Sequence, residues 1–162
     1  MSIWQPVYIG VGSNLDDPGA QVRFAVSRLE ALAASRVVYV SPLYGSRAFG
    51  PIAQPDYVNA VVGALTQLDS HKLLADLLAL EGSLGRPARH QKWGPRVIDL
   101  DLLIYGRERS CSGFLELPHP GMAARNFVLF PLADIAPDLH VPGLGRVAEL
   151  AARVSRENIW PL

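Results

Sequence analysis

The chain has 162 residues, a length that suits one domain burying about 70% of the surface its unfolded form exposes. Hydrophobic residues make up 49% and charged residues 19%, and 15 basic side chains balance 15 acidic ones. Zero net charge argues against a general nucleic-acid or anionic-membrane binder, and the single cysteine, Cys111, excludes an intrachain disulfide. No Cys/His zinc spacing occurs, and no apolar run approaches membrane-spanning length. Met1-Ser2-Ile3-Trp4-Gln5-Pro6 has neither the basic nor the apolar region of a secretory signal. The expectation is a single cytoplasmic domain over 1–162, acting as a monomer without nucleic-acid or membrane partners.

Val7 to Val11 reads as a first strand, ended by Gly12-Ser13-Asn14. Val22, Ala25, Val26, Leu29 and Leu32 recur at helical spacing, which predicts a helix over Gly19 to Ala34. Arg36 to Ser41 is β-branched and aromatic, a second strand. Ser41 to Pro55 holds four further Pro and Gly positions (Pro42, Gly45, Gly50, Pro51) and reads as one long connection. Tyr57 to Leu65 is a third strand. Asp69 or Ser70 caps a second helix, with Leu73, Leu74, Leu77, Leu78, Glu81 and Leu84 on one face and Gly85 at its end. Gly85 to Pro95 is a second long loop, followed by a fourth strand, Arg96 to Tyr105. The order β-α-β-β-α-β predicts an α+β, ferredoxin-like fold, with an antiparallel sheet and both helices on one face. The other face then needs a cover or a ligand. Beyond Gly106, Phe127 to Leu132 and Val147 to Val154 are candidate short helices.

The fourth strand is the most informative segment. Asp99 and Asp101 alternate with Ile98, Leu100 and Leu102, so both acids share one face and the aliphatic residues share the other. At about 6 Å and an effective dielectric near 20, two carboxylates repel by about 3 kcal/mol. A hard divalent cation, Mg²⁺ above all, relieves that repulsion. The other reading is two solvated acids on an open strand face. From Gly82 to Ile98 there is no acid, yet Arg86, Arg89, Lys92 and Arg96 are present with His90. Basic groups beside a metal site suit an anionic, metal-bound substrate such as a nucleoside triphosphate. A solvated basic loop is the alternative.

Neither a phosphate-binding P-loop nor the dinucleotide glycine fingerprint occurs, so any nucleotide site must be built from side chains and metal. Gly10, Gly12 and Asn14 are accordingly read as turn and close-packing residues. Gly94 and Pro95 fix the backbone before Arg96, and Trp93 either packs or stacks on a ligand. Pro118-His119-Pro120 presents one histidine, structural or catalytic, with Arg125 and Phe127 close behind. Tyr57 and Asn59 share a strand face, where an aromatic ring and an amide can hold a flat heterocycle or simply pack.

Six stretches together resemble the 6-hydroxymethyl-7,8-dihydropterin pyrophosphokinase family of folate biosynthesis. They are Tyr8-Ile9-Gly10-Val11-Gly12-Ser13-Asn14-Leu15, Gln54-Pro55-Asp56-Tyr57-Val58-Asn59-Ala60, Leu84-Gly85-Arg86, Arg96-Val97-Ile98-Asp99-Leu100-Asp101-Leu102-Leu103, Leu117-Pro118-His119-Pro120, and Arg125-Asn126-Phe127-Val128-Leu129. They run in family order across nearly the whole chain, and Trp93-Gly94-Pro95-Arg96 through Asp101 is the most specific. The resemblance implies transfer of a diphosphate from ATP to a reduced pterin, with AMP released. It implies that Asp99 and Asp101 hold two Mg²⁺ ions and that Arg86 and Arg96 are catalytic phosphate contacts. Glu81, Arg89, Trp93, Leu102, His119 and Arg125 would complete the ATP site. Ser46, Phe49, Tyr57, Asn59, Trp93, Asp99 and Phe127 would contact the pterin, with Tyr57 and Phe127 sandwiching it.

The chain departs from the family pattern in two places. Ser46-Arg47-Ala48-Phe49-Gly50 stands where relatives carry Thr-x-Pro-x-Gly, and Gly121 stands where many have a larger polar residue. Two rivals follow. One is a binding protein or paralogue that keeps the scaffold but not this turnover. The other is an RNA-binding ferredoxin-like domain, which zero net charge and strand acids oppose.

Overall fold

The computed structural model describes residues 3–85 and 97–162. Its central sheet contains β1 (Gln5–Ser13), β2 (Ser35–Val40), β3 (Tyr44–Ser46), β4 (Tyr57–Thr66), β5 (Asp99–Tyr105) and, at its far side, β10 (Ile159–Pro161). The order is β10-β3-β4-β1-β5, with β2 also paired to β4, and every pairing is antiparallel. α1 (Pro18–Glu30) and α2 (Ser70–Ser83) complete the expected β-α-β-β-α-β core. Two small hairpins, β6 (Ser110–Ser112) with β7 (Leu115–Leu117) and β8 (His140–Val141) with β9 (Gly145–Arg146), lie beyond it. So do α3 (Asn126–Ile135) and α4 (Val147–Arg153), close to the two helices expected there.

Local chemistry sets most boundaries. Asp17 caps α1 by accepting the Ala20 N–H, and Pro18 starts the helix where no N–H partner is needed. The helix stops at Glu30, before the expected Ala34, and Ala34 turns the chain at φ 53°. Asp69 caps α2 by accepting the Lys72 N–H at 2.8 Å. Gly85 follows that helix at φ +99°, a conformation that suits glycine. β1 runs to Ser13, so Gly12, like Gly10, sits inside the strand and not in a turn after it. The stretch 41–55 is not one continuous loop either: β3 interrupts it, paired with β4 on one side and β10 on the other. Tyr44-Gly45-Ser46 has no strand alternation of its own, and its extended form comes from these two neighbours.

One sheet face is sealed by α1 and α2. Val7, Ile9 and Val11, Ala60, Val62 and Ala64, and Leu100 and Leu102 meet Val22, Ala25, Leu29, Leu73 and Leu77 there. Among the described residues, the opposite face is covered over only part of its length. Val61, Leu103 and Ile104 pack on Met122, Val128, Leu129, Leu132, Val147 and Leu150. A bulge makes this possible: Ile9 pairs with Leu102 and Tyr8 with Ile104, so Leu103 is an added residue in β5. Leu103 and Ile104 therefore both join the second core, and Tyr105 returns to the first. The uncovered part of this face carries Gly10, Gly12, Tyr57, Asn59, Asp99 and Asp101. Among the described residues no helix is long and apolar enough to cross a membrane.

The Tyr44 hydroxyl donates to Asp134 and ties α3 to β3. Burial, then the Asp134 hydrogen bond and charge, push the Tyr44 phenol from its ordinary 10 up to about 12. A raised folded-state pKa means that this contribution to stability is complete below pH 10 and is lost as pH rises through 12. Thermal melts of Tyr44→Phe should accordingly show a shallower alkaline loss than wild type across that interval.

Candidate active site

β5 delivers the two acids as its alternation requires. Leu100 and Leu102 are 3% and 4% exposed against the helices, while Asp99 and Asp101 face the uncovered side. β5 is a sheet edge, and its free Leu100 N–H, between the two acids, donates to Glu81 Oε1 at 2.7 Å. Glu81 and Leu102 thus lie on the helix side of β5, outside the cavity that His119 and Arg125, the other described nucleotide-site candidates, line.

The cavity itself measures about 230 Å³. It lies below the roughly 300–1,000 Å³ of sites that enclose drug-sized ligands, so it suits a small ring system. Its floor is β1, where Gly12 leaves room: a Cβ there would stand 3.3 Å from Asn59 Oδ1 and 3.8 Å from Tyr57 Cδ1. Asn59 and Tyr57 project from β4 on the expected common face. The Asn59 amide, 5% exposed, donates from Nδ2 to Ser46 Oγ at 2.8 Å and presents Oδ1 above Gly12. Phe49 and Phe127 close the side, their ring centroids 5.6 Å apart and tilted 41°. Asn14, 1% exposed, donates to Gln54 Oε1 and to the Pro55 carbonyl, a packing role that holds the first loop on the end of β1.

The charged side of the cavity is built by the segment after β7. The His119 N–H donates to the Leu103 carbonyl at 2.9 Å, which fixes this segment on β5. The Gly121 N–H donates to His119 Nδ1 at 3.1 Å, so the ring proton resides on Nε2. Burial lowers the His119 pKa from 6.5; Asp101 pulls it up, Arg125 pushes it down and Glu116 pulls it up. The imidazole is therefore a neutral donor at pH 7. Arg125 Nη1 stands 3.9 Å from Asp101 Oδ2, and its guanidinium lies 5.8 Å from the Phe127 ring centroid. Gly121 makes this possible: a Cβ there would be 2.9 Å from Arg125 Cζ and Nε. The small residue that departs from the family pattern is what lets Arg125 lie across the site. Arg125 also offsets part of the carboxylate repulsion without any metal.

Ser46, Phe49, Tyr57, Asn59, Asp99, Asp101, His119, Arg125 and Phe127 line this one cavity. Arg86, Arg89, Trp93 and Arg96 lie outside the described residues. Arg47, Gln54, Gly10 and Gly12 also line the cavity, and sequence reasoning had assigned none of them a site role. Gly10, Gly12 and Gln54 lie within stretches that carry the family resemblance, whereas Arg47 lies in the loop that departs from it. No group of three or more His, Cys, Asp or Glu stands ready to hold a metal among the described residues. Two carboxylates on one strand face nevertheless fit Mg²⁺. That ion keeps several waters and uses one or two carboxylates together with substrate phosphates.

This fold and site make an α+β domain whose sheet carries a cavity with two carboxylates, a buried amide and aromatic rings. The chain belongs to the 7,8-dihydro-6-hydroxymethylpterin-pyrophosphokinase family, whose model matches residues 8–137. It is 44% identical over 155 residues to the 2-amino-4-hydroxy-6-hydroxymethyldihydropteridine pyrophosphokinase of Pseudomonas aeruginosa, covering 96% of this chain and 95% of that one. It is 42% identical over 155 residues to the Haemophilus influenzae protein of the same name, covering 96% of each. A solved Plasmodium falciparum HPPK-DHPS superposes with a TM-score of 0.73 at 11% identity, over 94% of this chain and 46% of that one. The present chain thus spans a little under half of that bifunctional chain, and the likeness shows the fold alone.

Proposed function

We propose that the chain transfers diphosphate from ATP to 6-hydroxymethyl-7,8-dihydropterin in folate biosynthesis, releasing AMP. The observation that carries this reading is a cavity that sets a buried amide and aromatic rings beside two carboxylates. The hydroxymethyl oxygen forms a bond to the β-phosphorus of ATP. The bond from that phosphorus to the oxygen bridging it to the α-phosphorus breaks. AMP leaves with the electron pair, and the hydroxyl proton passes to solvent.

The chain's own residues mostly position and neutralise. Asn59 Oδ1 accepts from the polar edge of the pterin, while Tyr57 and Phe127 hold its two faces. His119 donates from Nε2 to the triphosphate, and Arg125 neutralises its charge. Arg86 and Arg96 act on the phosphates as the resemblance implies. Asp99 and Asp101 would hold two Mg²⁺ ions, which when bound supply Lewis-acid neutralisation of the phosphate oxygens. The same reading has the protein acting in the cytoplasm as a monomer, with one domain over 1–162.

An AMP-release assay tests the reaction. One AMP should form per pterin consumed, and no release above the ATP-only rate would overturn the proposal. Calorimetry tests the metal: ATP affinity should fall sharply when Mg²⁺ is withheld, and equal affinity with and without it would remove the metal assignment.

A further inference from the structure

The two walls of the pterin pocket come from separate parts of the chain. One wall starts at β3 with Ser46 and continues to Phe49; the other is the first turn of α3, with Phe127. A single segment, 155–162, touches both. At α3, Asn126 Nδ2 donates to the Ser155 carbonyl at 2.9 Å and to the Glu157 carbonyl at 3.0 Å. The Arg156 guanidinium lies 5.7 Å from the Phe130 ring centroid. The segment then pairs with β3, Ile159 opposite Ser46, Trp160 opposite Gly45 and Pro161 opposite Tyr44. Two further backbone bonds extend the seam, from the Arg47 N–H to the Asn158 carbonyl and from the Leu162 N–H to the Leu43 carbonyl, each 3.0 Å.

β3 is only three residues long, the short end of the range for a strand, and β10 adds a second paired edge to the one it shares with β4. Its contact with Trp160 is close enough to exclude any side chain. A Cβ on Gly45 would stand 2.2 Å from Trp160 Nε1 and 2.5 Å from Cε2. Gly45 alternates with Ser46, so the indole presses on the back of β3 while the Ser46 hydroxyl faces Asn59 in front.

Resting on the proposed function, we infer that segment 155–162 is a strap that sets the separation of the two pterin walls. Trp160, seated on the bare Gly45 backbone, is its positioning residue. It touches neither substrate and acts through β3 on Ser46 and Asn59. Asp99, Asp101 and His119 lie on β5 and the segment fixed to it, outside the strap's reach.

Steady-state kinetics on Trp160→Ala provide the test. The KM for the pterin should rise by roughly ten- to a hundredfold, because a small misplacement of a positioning element carries a cost of that order. The KM for ATP and kcat should change by less than about threefold. Gly45→Val pushes on the indole from the other side and should give the same selective loss. Combined with Trp160→Ala it should add little, because both remove one contact. Trp160→Phe keeps a ring behind β3 and should show a smaller shift of the same sign, which serves if the alanine variant does not fold. A pterin KM unchanged in the folded variants, or equal losses for ATP and pterin, overturns the strap. Wild-type protein without pterin turnover overturns the proposed function and the strap with it, whereas active wild type with an indifferent Trp160 overturns the strap alone.

Discussion

Replacing Asp99 or Asp101 by alanine should lower kcat by about 10³-fold or more, the scale seen when a group that stabilises developing charge is removed. The two acids share the uncovered face of β5, between leucines that are 3% and 4% exposed. Truncating them therefore opens no hole in the core. The melting temperature of the free protein should fall little, and relief of carboxylate repulsion could raise it. That repulsion is about 3 kcal/mol before solvent screening, and Asp101 is 43% exposed, so the net effect is well below that figure. Losing Asp101 also forfeits its 3.9 Å contact with Arg125, which works against any gain. Turnover measured beside thermal melts separates the two effects. Wild-type rates in either variant would remove the acids from the mechanism, whatever the melting curves show.

Asn59→Leu should reduce kcat/KM for the pterin by about 10²-fold or more while leaving the KM for ATP within a few-fold, since each lost hydrogen bond with a stranded partner costs about 1–3 kcal/mol. Leucine fills a similar volume but removes the amide that joins Ser46 to the cavity. The Ser46 hydroxyl, 3% exposed, then loses its 2.8 Å partner inside the protein. Pterin affinity and stability should both decline, unlike in the aspartate variants. A pterin titration with and without a nonhydrolysable ATP analogue measures the effect, and unchanged pterin affinity would show that Asn59 only packs.

Much of this site was legible because its logic is local. Period-two alternation placed Asp99 with Asp101 and Tyr57 with Asn59, and the structure brings all four to one cavity. The α2 cap, one of the two candidates Asp69 and Ser70, and the order of the six core elements were legible for the same reason. β3 and β10 were not, because each is three residues long and they pair with each other across more than a hundred residues of sequence. Glu81 stood on the apolar face of its helix with nothing to show that its carboxylate would serve a β5 amide. Gly121 reads in the sequence only as a departure from the family pattern. Only the fold reveals that the missing side chain makes room for Arg125.

The added Leu103 has a consequence for how this strand can change. If β5 ran through Leu103 with strict alternation and no bulge, Ile104 would turn toward α1 and α2, and Tyr105 would turn away from the Leu68 carbonyl it now donates to. The insertion acts as a phase shifter between two halves of one strand. Chemistry occupies the upstream half and scaffolding the downstream half. Either half can be rewritten by mutation without forcing the other to flip.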